Sequence, residues 1–110
     1  MSALLITIGR FRPGGEEALR QYVAGVVPLI AAAGGEVVSR GRPHDTVVGD
    51  PRSRPDLVAV MRFPNADSIR AFLEGDAYQA HVGFRNGAFE EVRSYIADDL
   101  MVAPAQAPLG

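Results

Sequence analysis

Leu57-Val58-Ala59-Val60-Met61-Arg62-Phe63-Pro64 is apolar on both parities. Alternate residues of a strand face opposite sides of a sheet. Leu57, Ala59, Met61 and Phe63 therefore occupy one face, and Val58 and Val60 the other, so this segment reads as a strand covered on both sides. Pro64 ends it. The stretch Ala3 to Phe11 has the same two-sided character through Ala3, Leu4, Leu5, Ile6 and Ile8.

Reading outward from these two strands places the other elements. Arg12-Pro13-Gly14-Gly15 is a turn. Leu19, Tyr22, Val23, Val26, Ile30 and Ala33 then recur at helical spacing, which predicts a helix over 16–33. Glu16 and Glu17 suit its positive end. Pro28 is expected to kink or split it, and Gly34-Gly35 to cap it with a left-handed residue. A second strand is expected over 36–40, continued by Thr46-Val47-Val48 after a bend at Gly41-Arg42-Pro43. The loop 49–55 precedes the strand 57–63. Asn65 is expected to cap a helix reaching Glu74, Asp76 a further helix to about Gly87, and 89–97 forms the last strand. The order β-α-β-β-α-β is that of an α+β, ferredoxin-like domain with an antiparallel sheet. Residues 1–97 make one such domain, and 98–110 a Pro/Ala-rich C-terminal tail free to move or to pack on a partner.

Both crossover helices of this fold lie on one side of the sheet. The other side is apolar here and has no cover within one copy, so a homodimer packed sheet against sheet is expected.

The composition narrows the chemistry. The 110 residues contain eleven basic side chains, all arginine, and thirteen acidic ones; cysteine and tryptophan are absent. A Schiff-base lysine, a phosphate-loop lysine, a thiolate nucleophile, a disulfide and a cysteine zinc site are excluded. Charges of both signs are interspersed, which argues against nucleic acid and against an anionic membrane surface. No apolar run reaches the roughly 18 residues of a spanning helix. Met1 to Gly9 lacks the basic start of a signal peptide, so a cytoplasmic location is expected. No Gly-x-Gly-x-x-Gly, phosphate loop or Gly-x-Ser-x-Gly elbow occurs, so no nucleotide cofactor and no serine-hydrolase chemistry are implied. The two histidines, His44 and His81, stand in no recognised metal-ligand spacing.

Several short motifs carry a resemblance. They are Gly34-Gly35, Arg40-Gly41, Gly49-Asp50, Val58 to Pro64, Ala71-Phe72-Leu73 and Asp76-Ala77-Tyr78-Gln79, with Arg85 seven residues past Tyr78. Over residues 3–97 the chain resembles a small, largely uncharacterised bacterial family within the dimeric α+β barrel superfamily, which also contains antibiotic-biosynthesis monooxygenases. The resemblance implies a dimeric α+β barrel with a ligand cavity between the sheet and its helices. The chain departs from the family pattern at Arg62 and Val48, where the family has glutamates, and at Phe72, where it has tryptophan.

Tyr78, His81 and Arg85 fall at i, i+3 and i+7, along one face of the expected last helix. A phenol donates a proton, an imidazole shuttles one and a guanidinium holds an anion. His44, beside Asp45 in the bend, is the other candidate base. These four, His81, Tyr78, Arg85 and His44, are the candidate catalytic residues. Arg10 and Arg62 sit inside apolar strands, where an unpaired charge is costly, and so point to an anion or a carboxylate partner. With Arg40, Tyr22, Phe72 and Tyr95 they are the candidate substrate contacts. The expected function is a cofactor-independent enzyme moving protons on a small hydrophobic metabolite, by cyclisation, isomerisation or oxygenation, in the manner of natural-product biosynthesis. The alternative is a non-catalytic dimeric binding or interaction protein.

Overall fold

A computed structural model describes residues 2–101. Strands β1 (Ala3–Phe11), β2 (Glu36–Gly41), β3 (Leu57–Phe63) and β4 (Phe89–Asp98) form one antiparallel sheet in the order β2-β3-β1-β4. Helices α1 (Glu16–Ala32), α2 (Ala66–Glu74), α3 (Asp76–Gln79) and α4 (Val82–Ala88) supply the crossovers. This is the α+β, ferredoxin-like arrangement expected from the sequence. The strands that are apolar on both faces, β1 and β3, are neighbours at the centre of the sheet.

The register sorts the side chains. Leu5 pairs with Met61 and Ile96, and Thr7 with Ala59 and Ser94. With Ala3 and Phe63, these residues face the helices. Ile30, Ile69, Phe72 and Tyr78 complete the core against them. Phe63 and Ile69 are the largest fully buried side chains; removing each from water stabilises the fold by about 1.5–3 kcal/mol. Leu4, Ile6, Ile8, Val58, Val60 and Tyr95 face the opposite side, which no helix covers.

Two β-bulges interrupt the alternation. In β2, Val37 pairs with Met61 while Ser39 pairs with Val60, so Val38 is an extra residue. In β4, Gly9 and Arg10 pair with Val92 and Glu91, but Phe11 pairs with Phe89, so Glu90 is extra. Each insertion reverses the facing of what lies beyond it. Arg40 thereby joins Val37 on the helix side, and Phe89 takes the place that strict alternation assigns to Glu90. The Phe89 ring lies over Gly9, where any Cβ would collide with it.

The helix ends follow their local chemistry. Gly34 has a positive φ, its N–H donates to Ala31, and the Gly35 N–H donates to Ile30. That pattern is a Schellman cap, and it confirms the expected left-handed end of α1. Asn65 Oδ1 accepts from the Ser68 N–H at 2.8 Å and caps α2, also as expected.

Three local expectations are corrected. Helix α1 is not split at Pro28: it is continuous from Glu16 to Ala32, since the residue is exposed and Ala24, whose carbonyl it leaves free, is exposed too. Residues 46–48 form no strand: β2 stops at Gly41, and Val47 and Val48 are each 89 % exposed with no strand beside them. The expected helix after Gly75 is two short helices broken at Ala80-His81, and Gly75, not Asp76, occupies the cap position. Met1 and residues 102–110 of the expected tail lie outside the described residues. Within its start, Asp99 is buried and accepts hydrogen bonds from Arg62, Ser2 and the Met101 N–H. No described helix is long and apolar enough to cross a membrane.

Candidate functional site

A cavity of about 450 Å³ lies between the helix side of the sheet and α1. Its floor is made by Leu5, Ala59, Met61 and Phe72, all buried. The exposed residues of its lining are Val27 on α1, Val37, Arg40, Gly41 and Arg42 on or just past β2, and Ser94 on β4; most of them lie between α1 and the β2 edge of the sheet, where the cavity has a mouth. The volume falls in the range of small-molecule sites, and a mostly apolar wall with a few polar groups is their usual composition.

The polar groups come from separate elements. Tyr22 on α1 and Tyr78 on α3 join hydroxyl to hydroxyl at 2.8 Å, and their rings meet edge to face with centroids 6.3 Å apart. Arg85 on α4 donates from Nη1 to Tyr78 Oη at 3.3 Å. Tyr78 is only 5 % exposed and packs its ring against Phe72. Burial, then the hydrogen bond and charge interaction with Tyr78, hold the Tyr22 phenol far above its ordinary value; the Arg85 cation acts weakly the other way. Arg85 has no carboxylate partner among the described residues, and its Nε is buried without a hydrogen bond. On the sheet, Thr7 and Ser94 join hydroxyls at 3.0 Å at the cavity wall.

Tyr78 and Arg85, placed on one face by helical spacing, thus form a hydrogen-bonded line with Tyr22, which belongs to the apolar stripe of α1. The relation between Tyr78 and Arg85 survives the break in the helix. His81 is adjacent but not bonded to them. Its ring stacks with Phe84 and lies directly on Gly25 of α1, with Nδ1 buried and without a partner. Phe72 and Arg40 line the cavity as well. His44 and Asp45 are exposed in the segment after β2, away from this lining.

Arg10, Arg62 and Tyr95 belong to the opposite, helix-free side of the sheet. Arg62 is satisfied there by Asp99 at 2.6 Å and Glu36 at 3.1 Å. Asp99 answers the expectation that an arginine inside an apolar strand requires an anion: its carboxyl is held below the usual carboxylate range, chiefly by Arg62. Arg10 is exposed and donates to the Arg52 carbonyl. Sequence reasoning missed Arg42, which lies over the Phe11 ring at 5.1 Å, and the Thr7–Ser94 pair. Thr7 was legible as the one polar residue sharing a parity with Ala3 and Leu5. Among the described residues no cluster of three His, Cys, Asp or Glu side chains is placed to hold a metal ion.

The fold agrees with the comparisons to other proteins. Residues 6–99 match the family model described as a domain of unknown function, DUF1330. The chain belongs to the DUF1330 family. No curated protein matches this DUF1330 chain in sequence. Among solved structures, it is similar to the RPA0582 protein of unknown function from Rhodopseudomonas palustris, with 21 % identity, TM-score 0.79, and 90 % of this chain and 82 % of that one covered. It is also similar to a dimeric protein of unknown function and ferredoxin-like fold from Bacteroides fragilis, at 10 % identity, TM-score 0.65 and coverage of 89 % and 96 %. A hydroxynitrile lyase from Passiflora edulis shares the fold at 14 % identity, TM-score 0.70 and coverage of 94 % and 97 %. At these identities the likeness is one of fold.

Proposed function

We propose that this DUF1330 protein is a cofactor-independent enzyme that binds a small, largely hydrophobic carbonyl compound and stabilises its enolate. The Tyr22–Tyr78–Arg85 line at the wall of an otherwise apolar cavity carries this reading. Arg85 donates to the Tyr78 oxygen, and the arrangement in which Tyr78 gives its own proton to Tyr22 Oη leaves the Tyr22 proton to donate to a ligand in the cavity. Such a chain strengthens each bond in it. A carbonyl oxygen at that position gains negative charge as an α-proton departs to water entering from the mouth, and the Tyr22 hydrogen bond tightens on the enolate as it forms. Return of a solvent proton to the α-carbon restores the ketone or shifts its double bond, so the step balances without an oxidant.

His81 acts in this reading as a positioning residue. Its ring fills the space over Gly25 and fixes α4, hence Arg85, against α1. The hydroxynitrile lyase of similar fold is in keeping with chemistry at such a cavity. A second reading, a binding protein without turnover, is favoured by the apolar character of most of the lining.

The dimeric α+β barrel is also part of the proposal. The apolar outer side, with Ile6, Ile8, Val58, Val60 and Tyr95, suits a second copy packed sheet against sheet, and the B. fragilis protein of similar fold is described as dimeric.

The test is exchange of the α-protons of butyrophenone in D2O, followed by proton NMR. The enzyme reading expects exchange faster with the protein than with buffer, and its loss in Tyr78→Phe. Saturable binding without exchange supports the second reading instead.

A further inference from the structure

Arg40 and Arg42 stand on the same rim of the cavity, and neither has a hydrogen bond or counter-ion among the described residues. They differ in this from most of their kind. Arg20, Arg52, Arg62 and Arg93 are paired with carboxylates. Arg10, Arg12, Arg54 and Arg85 are held by carbonyl or hydroxyl oxygens. In a chain with more acids than bases, two adjacent uncompensated guanidinium groups at the mouth of an apolar cavity form a local positive field.

The backbone arranges this. Strict alternation from Val37 would turn Arg40 to the outer side of the sheet. The bulge at Val38 turns it to the cavity side instead. Arg42 is steadied over the Phe11 ring at 5.1 Å. From Phe11 an aromatic wall continues to Phe89, with centroids 5.8 Å apart, and from Phe89 to Tyr22 at 6.3 Å. The wall therefore joins a cationic rim to the phenol pair. A planar guanidinium matches a carboxylate through paired N–H donors.

We infer that the ligand is an amphipathic monocarboxylic acid: a carboxylate held by Arg40 and Arg42 at the mouth, and an apolar, aromatic-sized body running inward along Phe11 and Phe89. This rests on the proposed reading of the cavity as a ligand site, and it adds the substrate class. Where the acid also carries a ketone, that group meets Tyr22.

Two probes separate the two claims. Benzoylpropionate carries a carboxylate, a methylene pair and an aryl ketone; butyrophenone is its neutral counterpart. Calorimetric titration of the full chain is expected to give tighter binding for benzoylpropionate. Arg40→Gln and Arg42→Gln should each weaken it about tenfold, as expected for a lost charged hydrogen bond, while leaving butyrophenone binding unchanged. Both positions are exposed, so neither change threatens folding, and a circular dichroism melt of each variant verifies that. Equal affinity for the two probes, no loss in either arginine variant, or no binding of the acid overturns the inference. Tight, arginine-dependent binding of the acid with no α-proton exchange leaves this inference standing and removes the catalytic reading. Exchange of butyrophenone without preference for the acid does the reverse.

Discussion

The hydroxyls of Tyr22 and Tyr78 meet at 2.8 Å, although 56 residues and two strands separate them in the chain. The bond ties α1 to the short helix α3 at the wall of the cavity. Removing the Tyr78 hydroxyl leaves the half-buried Tyr22 phenol and the Arg85 guanidinium without their partner, which costs about 1–3 kcal/mol. Tyr78→Phe is expected to lower the urea midpoint by that amount. The double variant with Tyr22→Phe should recover part of the loss, because no orphan hydroxyl remains. A double-mutant cycle from urea melts measures the coupling.

Partial burial first, and then the bond to Tyr78, push the Tyr22 phenol above its ordinary pKa. A group whose folded pKa lies above its unfolded value of 10.0 contributes stability that is full below pH 10 and is lost as the pH rises beyond it. The expected outcome is that Tyr22→Phe leaves the tyrosinate absorbance of the folded protein unchanged at about pH 11, whereas in denaturant the same substitution removes one tyrosinate. A tyrosinate signal from Tyr22 in the folded state would contradict the geometry.

The other titrating device is Asp99, whose side chain is 1 % exposed and bound to Arg62. Its carboxyl is depressed from the ordinary 3.8 first by Arg62, with the Met101 N–H and Ser2 adding to this against burial. Stability from a depressed acid is present above the unfolded value and is lost as the pH falls through the folded one. Asp99→Asn should therefore destabilise the protein at neutral pH, and the gap between variant and wild type should close as the pH drops below about 4. Urea melts across that range check it.

Gly25 gives His81 its place. A Cβ at residue 25 would overlap the imidazole. Gly25→Ala is expected to cost about 1–3 kcal/mol by overpacking and to lower activity by displacing α4 and Arg85. His81→Ala in the same chain should restore most of the stability but not the activity, since nothing then fixes α4. The separation of the two readouts distinguishes positioning from bulk packing.

The outer side of the sheet is expected to pair two copies. Tyr95, 48 % exposed in one copy, lies on that side beside Ile6. Sedimentation at micromolar concentration should show a dimer, and Tyr95→Glu a shift towards monomer without loss of helix or strand signal. A wild-type monomer would remove the barrel proposal and leave the cavity account untouched.

The sheet was legible in the sequence because β1 and β3 are apolar on both parities, a pattern that only central strands sustain here. Asn65, Gly34 and Gly35 announced helix ends through chemistry that acts within a few residues. What alternation cannot announce is an inserted residue. Val38 and Glu90 look like any strand residues, yet they set the facing of Arg40 and Phe89, and so half of the cavity's character. Val47 and Val48 misled for the opposite reason: they have strand-like side chains, but no neighbouring strand reaches them. Tyr78 and Arg85 were found by helical spacing, whereas the partnership with Tyr22 depends on how α1 lies over α3. Arg62 has the carboxylate partners that its place in an apolar strand called for, Asp99 and Glu36, whereas Arg10 is exposed and meets only the Arg52 carbonyl; which side of the sheet they serve depends on where the helices pack.

The claim that the phenol pair serves a carbonyl in the cavity is tested most directly by carbon NMR of butyrophenone labelled at its carbonyl and bound to the protein. A hydrogen bond from Tyr22 predicts a downfield shift of the bound carbonyl relative to the ketone in apolar solvent, lost in Tyr22→Phe while binding persists. A bound carbonyl that resonates as in apolar solvent, or one whose shift is the same in Tyr22→Phe, contradicts the account.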